Sequence, residues 1–165
     1  MRPTWEEYFI GIVQATAARA SCDRGRSGAI IVKDLMILSA GYVGAPRGLP
    51  DCDEVGHDLR TIKECSKGLL MGRFTLPIEI ASQHCVRTVH AEMNAILNAA
   101  RHGKSCMDST MYCTMIPCRT CAMAIIQSGI KEVIALHPYH KGQESIEMFE
   151  KVGIVIKVIN EKFLY

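Results

Sequence analysis

Two short motifs of metal-binding residues constrain the fold of this 165-residue chain more than any other feature. The first is His90-Ala91-Glu92, and the second, Pro117-Cys118-Arg119-Thr120-Cys121, begins 25 residues after Glu92. Together they offer one imidazole and two thiolates, which is one ligand fewer than a closed tetrahedral zinc site needs. The chain must therefore fold so that these two distant segments meet.

The sequence around both motifs alternates between predicted strands and predicted helices. Helices are expected at about 4–20, 91–101, 118–128 and 144–152, and strands at about 28–32, 36–40, 110–114, 132–136 and 154–159. Thr4 and Glu7 have the spacing of a capping box at the start of the first helix. This alternation predicts an α/β sandwich with parallel strands in its second half.

Both motifs fall at predicted helix N-termini, where outward-pointing amides favour thiolates. Pro117 suits the start of a helix because its missing N–H needs no partner there. Cys118 and Cys121 are three residues apart, so they share one helix face and can reach one ion. Two such helices side by side would bring His90 close to the cysteine pair.

The bulk properties exclude several classes of protein. A net charge of +2 is too small to indicate binding to nucleic acid or to a membrane surface, and no run of 18 apolar residues is present. The N-terminus has no apolar signal region, so we expect a cytoplasmic protein. Its eight cysteines are then better interpreted as thiols or metal ligands than as disulfides. The length fits one domain over residues 1–165.

Glu92 distinguishes a catalytic metal site from a structural one. An open fourth position can hold a water, whose pKa zinc lowers toward about 7. Glu92 lies two residues from His90, near enough to move protons without binding the metal, and this combination is typical of zinc-dependent base deaminases. The alternative is a closed zinc site in which Glu92 is a solvated carboxylate. The proline and the strand–helix context favour catalysis.

These motifs and the N-terminal half resemble the deoxycytidylate (dCMP) deaminase family of the cytidine deaminase superfamily. The zinc motifs carry the resemblance to the superfamily, and Ser27–Val32 agrees with it. The segment Gly41–Pro50 narrows the resemblance to the dCMP deaminase branch. The similarity covers about residues 4–136 and implies a three-layer α/β/α sandwich with a mixed five-stranded sheet.

The resemblance implies zinc-dependent hydrolysis of dCMP to dUMP and ammonia. His90, Cys118 and Cys121 would bind the catalytic zinc, while Glu92 would pass a proton from the attacking water to the ring nitrogen N3. A homo-oligomer and the effectors dCTP and dTTP are also implied. The alternatives are a deaminase of the same fold that acts on another cytosine nucleotide, nucleoside or polynucleotide base, and a zinc-stabilised binding module without turnover.

One residue departs from the family pattern. The family has Gly-Tyr-Asn-Gly where this chain has Gly41-Tyr42-Val43-Gly44, and a valine side chain cannot bind a sugar hydroxyl. In the family that this chain resembles, the asparagine lies near the nucleotide sugar, and the motif is linked to allosteric control by dCTP. Sugar recognition and activation by dCTP are therefore both expected to change here, unless a neighbouring residue replaces the contact. The expected substrate contacts are Val43, Arg47, Asn94, Pro117 and Tyr139. The candidates for phosphate binding are Arg47, Arg119 and the cluster Tyr139-His140-Lys141.

A second zinc site is expected in the N-terminal half, as in some dCMP deaminases that this chain resembles. Its predicted ligands are Cys22, Cys52, His57 and His84, with Cys85 as an alternative to His84 and Cys65 as an alternative to His57. Such a structural zinc would tether an insertion at about residues 45–85, for which one short helix near 55–67 is predicted. The alternative is a set of ordinary thiols and surface imidazoles.

Overall fold

The structure is a computed structural model that describes residues 1–66, 70–71, 74–75 and 78–160, with no side-chain description for 62–82. The helices are α1 (Trp5–Ala17), α2 (Cys52–Val55), α3 (Ala91–Arg101), α4 (Arg119–Gln127) and α5 (Gln143–Lys151). The strands are β1 (Gly28–Lys33), β2 (Met36–Tyr42), β3 (Leu59–Ser66), β4 (Leu70–Met71), β5 (Phe74–Thr75), β6 (Ile78–Cys85), β7 (Thr110–Met115), β8 (Glu132–His137) and β9 (Val155–Val158).

Five strands form one mixed sheet in the order β2-β1-β7-β8-β9. β1 pairs antiparallel with both β2 and β7, whereas β7, β8 and β9 are parallel to one another. The parallel pairs are connected through α4 and α5, as crossover connections require. The predicted parallel arrangement in the second half of the chain is confirmed.

Helices cover both faces of this sheet. Because strand side chains alternate, Ile30 and Val32 pack with Phe9 and Val13 of α1, while Ile31 faces the opposite core. That second core contains buried side chains of α3, α4 and α5. The predicted three-layer α/β/α sandwich is confirmed.

The first helix begins as its sequence predicts. The Thr4 hydroxyl accepts a hydrogen bond from the backbone N–H of Glu7 at 3.2 Å, and the Glu7 carboxylate accepts one from the Thr4 N–H at 2.8 Å. The helix ends at Ala17, three residues before the predicted end. It has 13 residues, and within the described part of the chain no helix has the length and apolarity of a membrane span.

The prediction of a helix near 55–67 is wrong. The only helix described in this part of the chain is α2, and Gly56 ends it with a positive φ of 77°. Beyond it, β3 pairs antiparallel with β6 over eight residues. Strand pairing suits this segment because Ile78-Glu79-Ile80 alternates between apolar and polar residues, a period of two rather than that of a helix.

Candidate active site

The two sequence motifs meet at the N-terminal ends of α3 and α4. His90 is the N-cap of α3 and Cys118 is the N-cap of α4, so both precede the first turn of a helix. The Nδ1 atom of His90 lies 3.4 Å from Cys118 Sγ and 3.5 Å from Cys121 Sγ. The fold therefore brings together the three side chains that the sequence predicts as ligands.

The separations between these atoms fit a zinc ion. Tetrahedral zinc has Zn–N distances of about 2.0–2.1 Å and Zn–S distances of about 2.3 Å, which place a nitrogen and a sulfur ligand about 3.5 Å apart. The two separations from His90 agree with this value. One imidazole and two thiolates leave a fourth position open to a water or a substrate.

Glu92 lies beside this set and is almost fully buried, with 8% of its surface exposed. Its Oε2 atom is 3.7 Å from Cys121 Sγ, and the residue lines a cavity of the described structure that we call the main cavity. Burial raises the pKa of the Glu92 carboxyl above its usual value. A raised pKa makes a carboxyl hold a proton more readily, which suits a group that must accept and donate a proton in acid–base catalysis.

The candidate ligand side chains also shift one another's pKa values. The hydrogen bond from Cys121, with a further contribution from His90, lowers the pKa of Cys118 to about 4. The hydrogen bond to Cys118 raises the pKa of His90 to about 9. The raised pKa of His90 and the lowered pKa of Cys118 each favour the charged form of the side chain. A metal ion must displace the proton of His90 to bind its Nδ1 atom.

The main cavity has a volume of about 470 Å³ and opens above this site. The motif residues form its base, and its walls come from the loop before β1, strand β6, the end of β7 and the loop after β8. The residues that line it are Cys22, Arg24, Gly25, Ser27, Val43, Gln83, His84, Cys85, Thr88, His90, Glu92, Met115, Ile116, Cys118, Tyr139 and His140. Its volume is within the range of small-molecule sites.

The five predicted substrate contacts lie in three different places. Val43 and Tyr139 line the main cavity. Arg47 and Asn94 line a second cavity of about 260 Å³ instead, and the Asn94 amide donates to the Tyr42 carbonyl at 2.7 Å. Pro117 is less than 2% exposed and does not line the main cavity. Of the five, only Val43 and Tyr139 are therefore placed to contact a ligand there.

The predicted phosphate-binding residues also lie in different surroundings. Arg119 forms an ion pair with Glu144 of α5 at 2.6 Å and does not line the cavity. Lys141 lies 3.4 Å from Nε2 of His84. Arg24 lines the cavity but was missed from the sequence, where its only signal is its position two residues after Cys22.

A second group of possible metal ligands lies beside this cavity, and two of its members, Cys22 and Cys85, line the cavity. Its members are Cys22, Cys52, His57 and Cys85. Cys52 Sγ is 3.6 Å from Cys85 Sγ, and Cys22 Sγ is 3.7 Å from Nδ1 of His57. These separations fit the edges of a tetrahedral zinc site as well as those of the first group do.

Local contacts hold this second group in place. The Ser21 hydroxyl donates to the Asp51 carboxylate, which brings the next residues of both segments, Cys22 and Cys52, together. The Asp23 carboxylate lies 2.9 Å from Nε2 of His57. A carboxylate on the far side of a histidine ring fixes the ring so that its other nitrogen faces the metal.

The structure differs from the prediction that His84 belongs to this group. Successive residues of a strand point to opposite faces, so in β6 Cys85 joins the group whereas His84 faces Lys141. The predicted alternative, Cys85, therefore replaces His84. The other alternative, Cys65, has a side chain that lies outside the described residues.

Comparison with known proteins agrees with this geometry. Residues 3–137 match the family model of the cytidine and deoxycytidylate deaminase zinc-binding region. The chain is 32% identical to the deoxycytidylate deaminase of Saccharomyces cerevisiae over 95% of its own length, and it spans 45% of that enzyme. It is 37% identical to the deoxycytidylate deaminase of Mycobacterium phage D29, covering 81% of this chain and 94% of the phage enzyme.

A solved structure has the same fold over almost the whole chain. The dCMP deaminase of cyanophage S-TIM5, in complex with dCMP and dUMP, superposes with a TM-score of 0.71 at 26% identity. The match covers 96% of this chain and 98% of the phage chain. The similarity therefore extends well beyond the two motifs.

Proposed function

The chain belongs to the cytidine and deoxycytidylate deaminase family, and we propose that it hydrolyses dCMP to dUMP and ammonia. The observation that carries this proposal is the buried carboxylate of Glu92 beside the ligand set of His90, Cys118 and Cys121. A purely structural zinc site has no need of such a carboxylate. The complex of the cyanophage S-TIM5 enzyme with dCMP and dUMP supports the choice of substrate.

The proposed roles follow from the position of each side chain. A zinc ion held by the three ligands supplies Lewis acidity that lowers the pKa of water toward about 7. Glu92 accepts a proton from the attacking water, donates it to N3 of the cytosine ring, and assists the departure of ammonia from C4. Burial suits Glu92 to this role because it raises the pKa of the carboxyl, which favours the proton-carrying form.

A second candidate is a deaminase of the same fold that prefers another cytosine nucleotide or nucleoside. The observation in its favour is Val43, which is 9% exposed and lines the cavity with an apolar side chain. Valine leaves a sugar hydroxyl without a side-chain partner at this position. The reaction is the same for both candidates, and only the substrate differs.

An ammonia-release screen separates these candidates. The substrates are dCMP, CMP, dCTP, deoxycytidine and cytosine, each with and without added dCTP as effector. We expect dCMP to have the highest kcat/KM. A higher kcat/KM for another compound would favour the second candidate, and no release from dCMP under any condition would contradict the proposed substrate.

We further propose that the chain binds two zinc ions, one catalytic and one structural. Cys22, Cys52, His57 and Cys85 place four ligand atoms within 4.8 Å of one another, and four is the number of ligands that a closed structural zinc site needs. This zinc would tether the insertion at about 45–85 to the loop before β1. The single domain over residues 1–165 would then depend on metal for the order of its longest connection.

Zinc content tests this assignment. We expect about two ions per chain in the wild-type protein and about one in Cys85→Ser, because a hydroxyl is a poor replacement for a thiolate ligand. The neighbouring variant His84→Gln is the matched control and should keep both ions. Elemental analysis after dialysis measures the ratio. Loss of one ion from His84→Gln but not from Cys85→Ser would show that His84, and not Cys85, is the fourth ligand.

Assembly and regulation are proposed from the family resemblance. We propose a homo-oligomer, a cytoplasmic location, and dCTP and dTTP as effectors. The second cavity, which Tyr42, Gly44, Arg47 and Asn94 line, supports an additional ligand because it is polar and contains an arginine. The net charge of +2 supports a small nucleotide rather than a nucleic acid as the substrate.

A further inference from the structure

We propose that Thr114 is a positioning residue for the main cavity, because its buried hydroxyl joins the strand that leads to the second metal motif to the loop that precedes β1. Thr114 does not line the cavity, so it would act on a substrate through its neighbours. The proposal rests on the proposed function, since it assigns a further role in the same site.

The Thr114 hydroxyl forms two hydrogen bonds with one residue, Gly28. Its Oγ1 atom accepts from the Gly28 backbone N–H at 2.9 Å and donates to the Gly28 carbonyl at 3.2 Å. A hydroxyl carries one donor and two acceptor lone pairs, so it can serve both backbone groups. Thr114 is only 7% exposed, so water does not readily replace it as a partner. We call these two hydrogen bonds the Thr114–Gly28 bridge.

The bridge lies at the end of the pairing between β1 and β7. Ala29 pairs with Cys113 in this antiparallel pair, so the next residues, Gly28 and Thr114, face each other. In antiparallel strands, opposed residues exchange backbone hydrogen bonds at every second pair. At this pair the side-chain hydroxyl is the partner of both Gly28 backbone groups. Loss of the hydroxyl would therefore let the two strands separate at this end of the sheet.

The residues next to the bridge line the main cavity. Ser27 precedes Gly28 and Met115 follows Thr114, and both line the cavity. Val43, just after β2, lines it as well, and its backbone N–H donates to the Ser27 carbonyl at 3.0 Å. The bridge therefore fixes the separation between wall residues that belong to three neighbouring strands.

The bridge also connects this wall to the segment that carries metal ligands. Thr114 lies four residues before Cys118. Gly28 packs directly on α1, because an added Cβ atom would lie 2.6 Å from the backbone nitrogen of Ala17 and from the carbonyl oxygen of Val13. The start of β1 is thus held by α1 on one face of the sheet and by Thr114 within the sheet.

A purely structural role is the alternative, since a buried hydrogen-bonded hydroxyl stabilises a protein wherever it lies. Ser109, just before the first residue of β7 and so at the opposite end of this strand, provides the matched control. It is 1% exposed, its hydroxyl donates to the Cys106 carbonyl at 2.6 Å, and it lines neither cavity. Loss of the Ser109 hydroxyl should reduce stability alone, whereas loss of the Thr114 hydroxyl should also affect the substrate.

The kinetics of Thr114→Val test the proposal, because valine has nearly the same shape as threonine and lacks the hydroxyl. We expect kcat/KM for dCMP to fall by about 10- to 100-fold, mainly through KM, because a displaced wall misplaces the substrate while Glu92 stays in α3. Thr114→Ser keeps the hydroxyl and should restore most of the lost kcat/KM. Ser109→Ala should leave kcat/KM unchanged.

Hydrogen exchange followed by mass spectrometry supplies a readout that does not depend on the substrate. In zinc-loaded Thr114→Val, the backbone amides of residues 21–28 should exchange faster than in the wild type, because the start of β1 has lost a partner. Ser109→Ala should keep the wild-type exchange rate in this segment. If the wild-type protein releases no ammonia from dCMP, the proposed function fails, and the exchange rates still decide whether the bridge fixes the wall.

Two results would overturn the proposal. The first is that Thr114→Val and Ser109→Ala have the same kcat/KM and the same exchange rates in residues 21–28. The second is that Thr114→Ser loses as much kcat/KM as Thr114→Val. If Thr114→Val does not fold, Thr114→Ser and Thr114→Ala form a second pair that differs by the hydroxyl alone, and the same comparisons apply to it.

Discussion

Replacing Glu92 by glutamine is expected to lower kcat for deamination of dCMP by about 10²- to 10⁴-fold while zinc stays bound. Glutamine keeps the size of the side chain and its contact with Cys121, which lies 3.7 Å from Oε2. Glutamine cannot accept a proton from water or donate one to the cytosine ring, so the decrease in kcat measures the contribution of proton transfer. Steady-state ammonia release gives kcat, and elemental analysis of the same preparation gives the amount of bound zinc.

Glu150→Gln is the matched control for this experiment. Glu150 is an exposed carboxylate in α5, and it lines neither cavity. We expect its kcat and zinc content to equal those of the wild type. If Glu92→Gln retained full activity with zinc bound, the catalytic role of Glu92 would be wrong.

The second large effect is expected on stability, from Gly41→Ala. A Cβ atom at Gly41 would overlap the backbone nitrogen of Ala95 and the carbonyl oxygen of Ala91, and it would lie 2.7 Å from the carbonyl carbon of Asn94. All three neighbours are backbone atoms of α3, so no side-chain rotation relieves the overlap. The helix must move away from β2, which we expect to cost about 3 kcal/mol in the free energy of unfolding.

This displacement should also reduce activity, because α3 carries His90 and Glu92 at its N-terminal end. Denaturant unfolding of the zinc-loaded protein measures the loss of stability. Gly11→Ala is the matched control: Gly11 is an exposed residue of α1 with no atom within 4 Å of the added Cβ. That variant should gain about 0.5–1 kcal/mol, since alanine is the better helix former. Equal stability of the two variants would contradict the close packing of β2 on α3.

The architecture follows from the sequence wherever a local pattern is long and regular. The alternation of strands and helices after His90 predicts the parallel part of the sheet because apolar periodicity and glycine stops are properties of single segments. In the insertion the pattern is short and mixed, and there the predicted helix was wrong. Pairing between β3 and β6 is a contact between two segments, so no single window of sequence contains it.

The sequence by itself determined the most specific part of the candidate site. Spacing within one helix turn places Cys118 and Cys121 together, and the two-residue step from His90 places Glu92 beside the predicted ligand set. These relations depend on local geometry, which a short motif encodes completely. The matches to the deaminase family agree with the motif.

Only the tertiary structure decided which residues complete the cavity. Whether His84 or Cys85 faces the second metal group depends on the orientation of β6, and whether Arg24, Arg47 or Arg119 reaches the cavity depends on how distant segments pack. Both are set by long-range contacts that only the folded chain makes. The proposed chemistry is therefore encoded in two short motifs, whereas the recognition of the substrate is assembled by the fold.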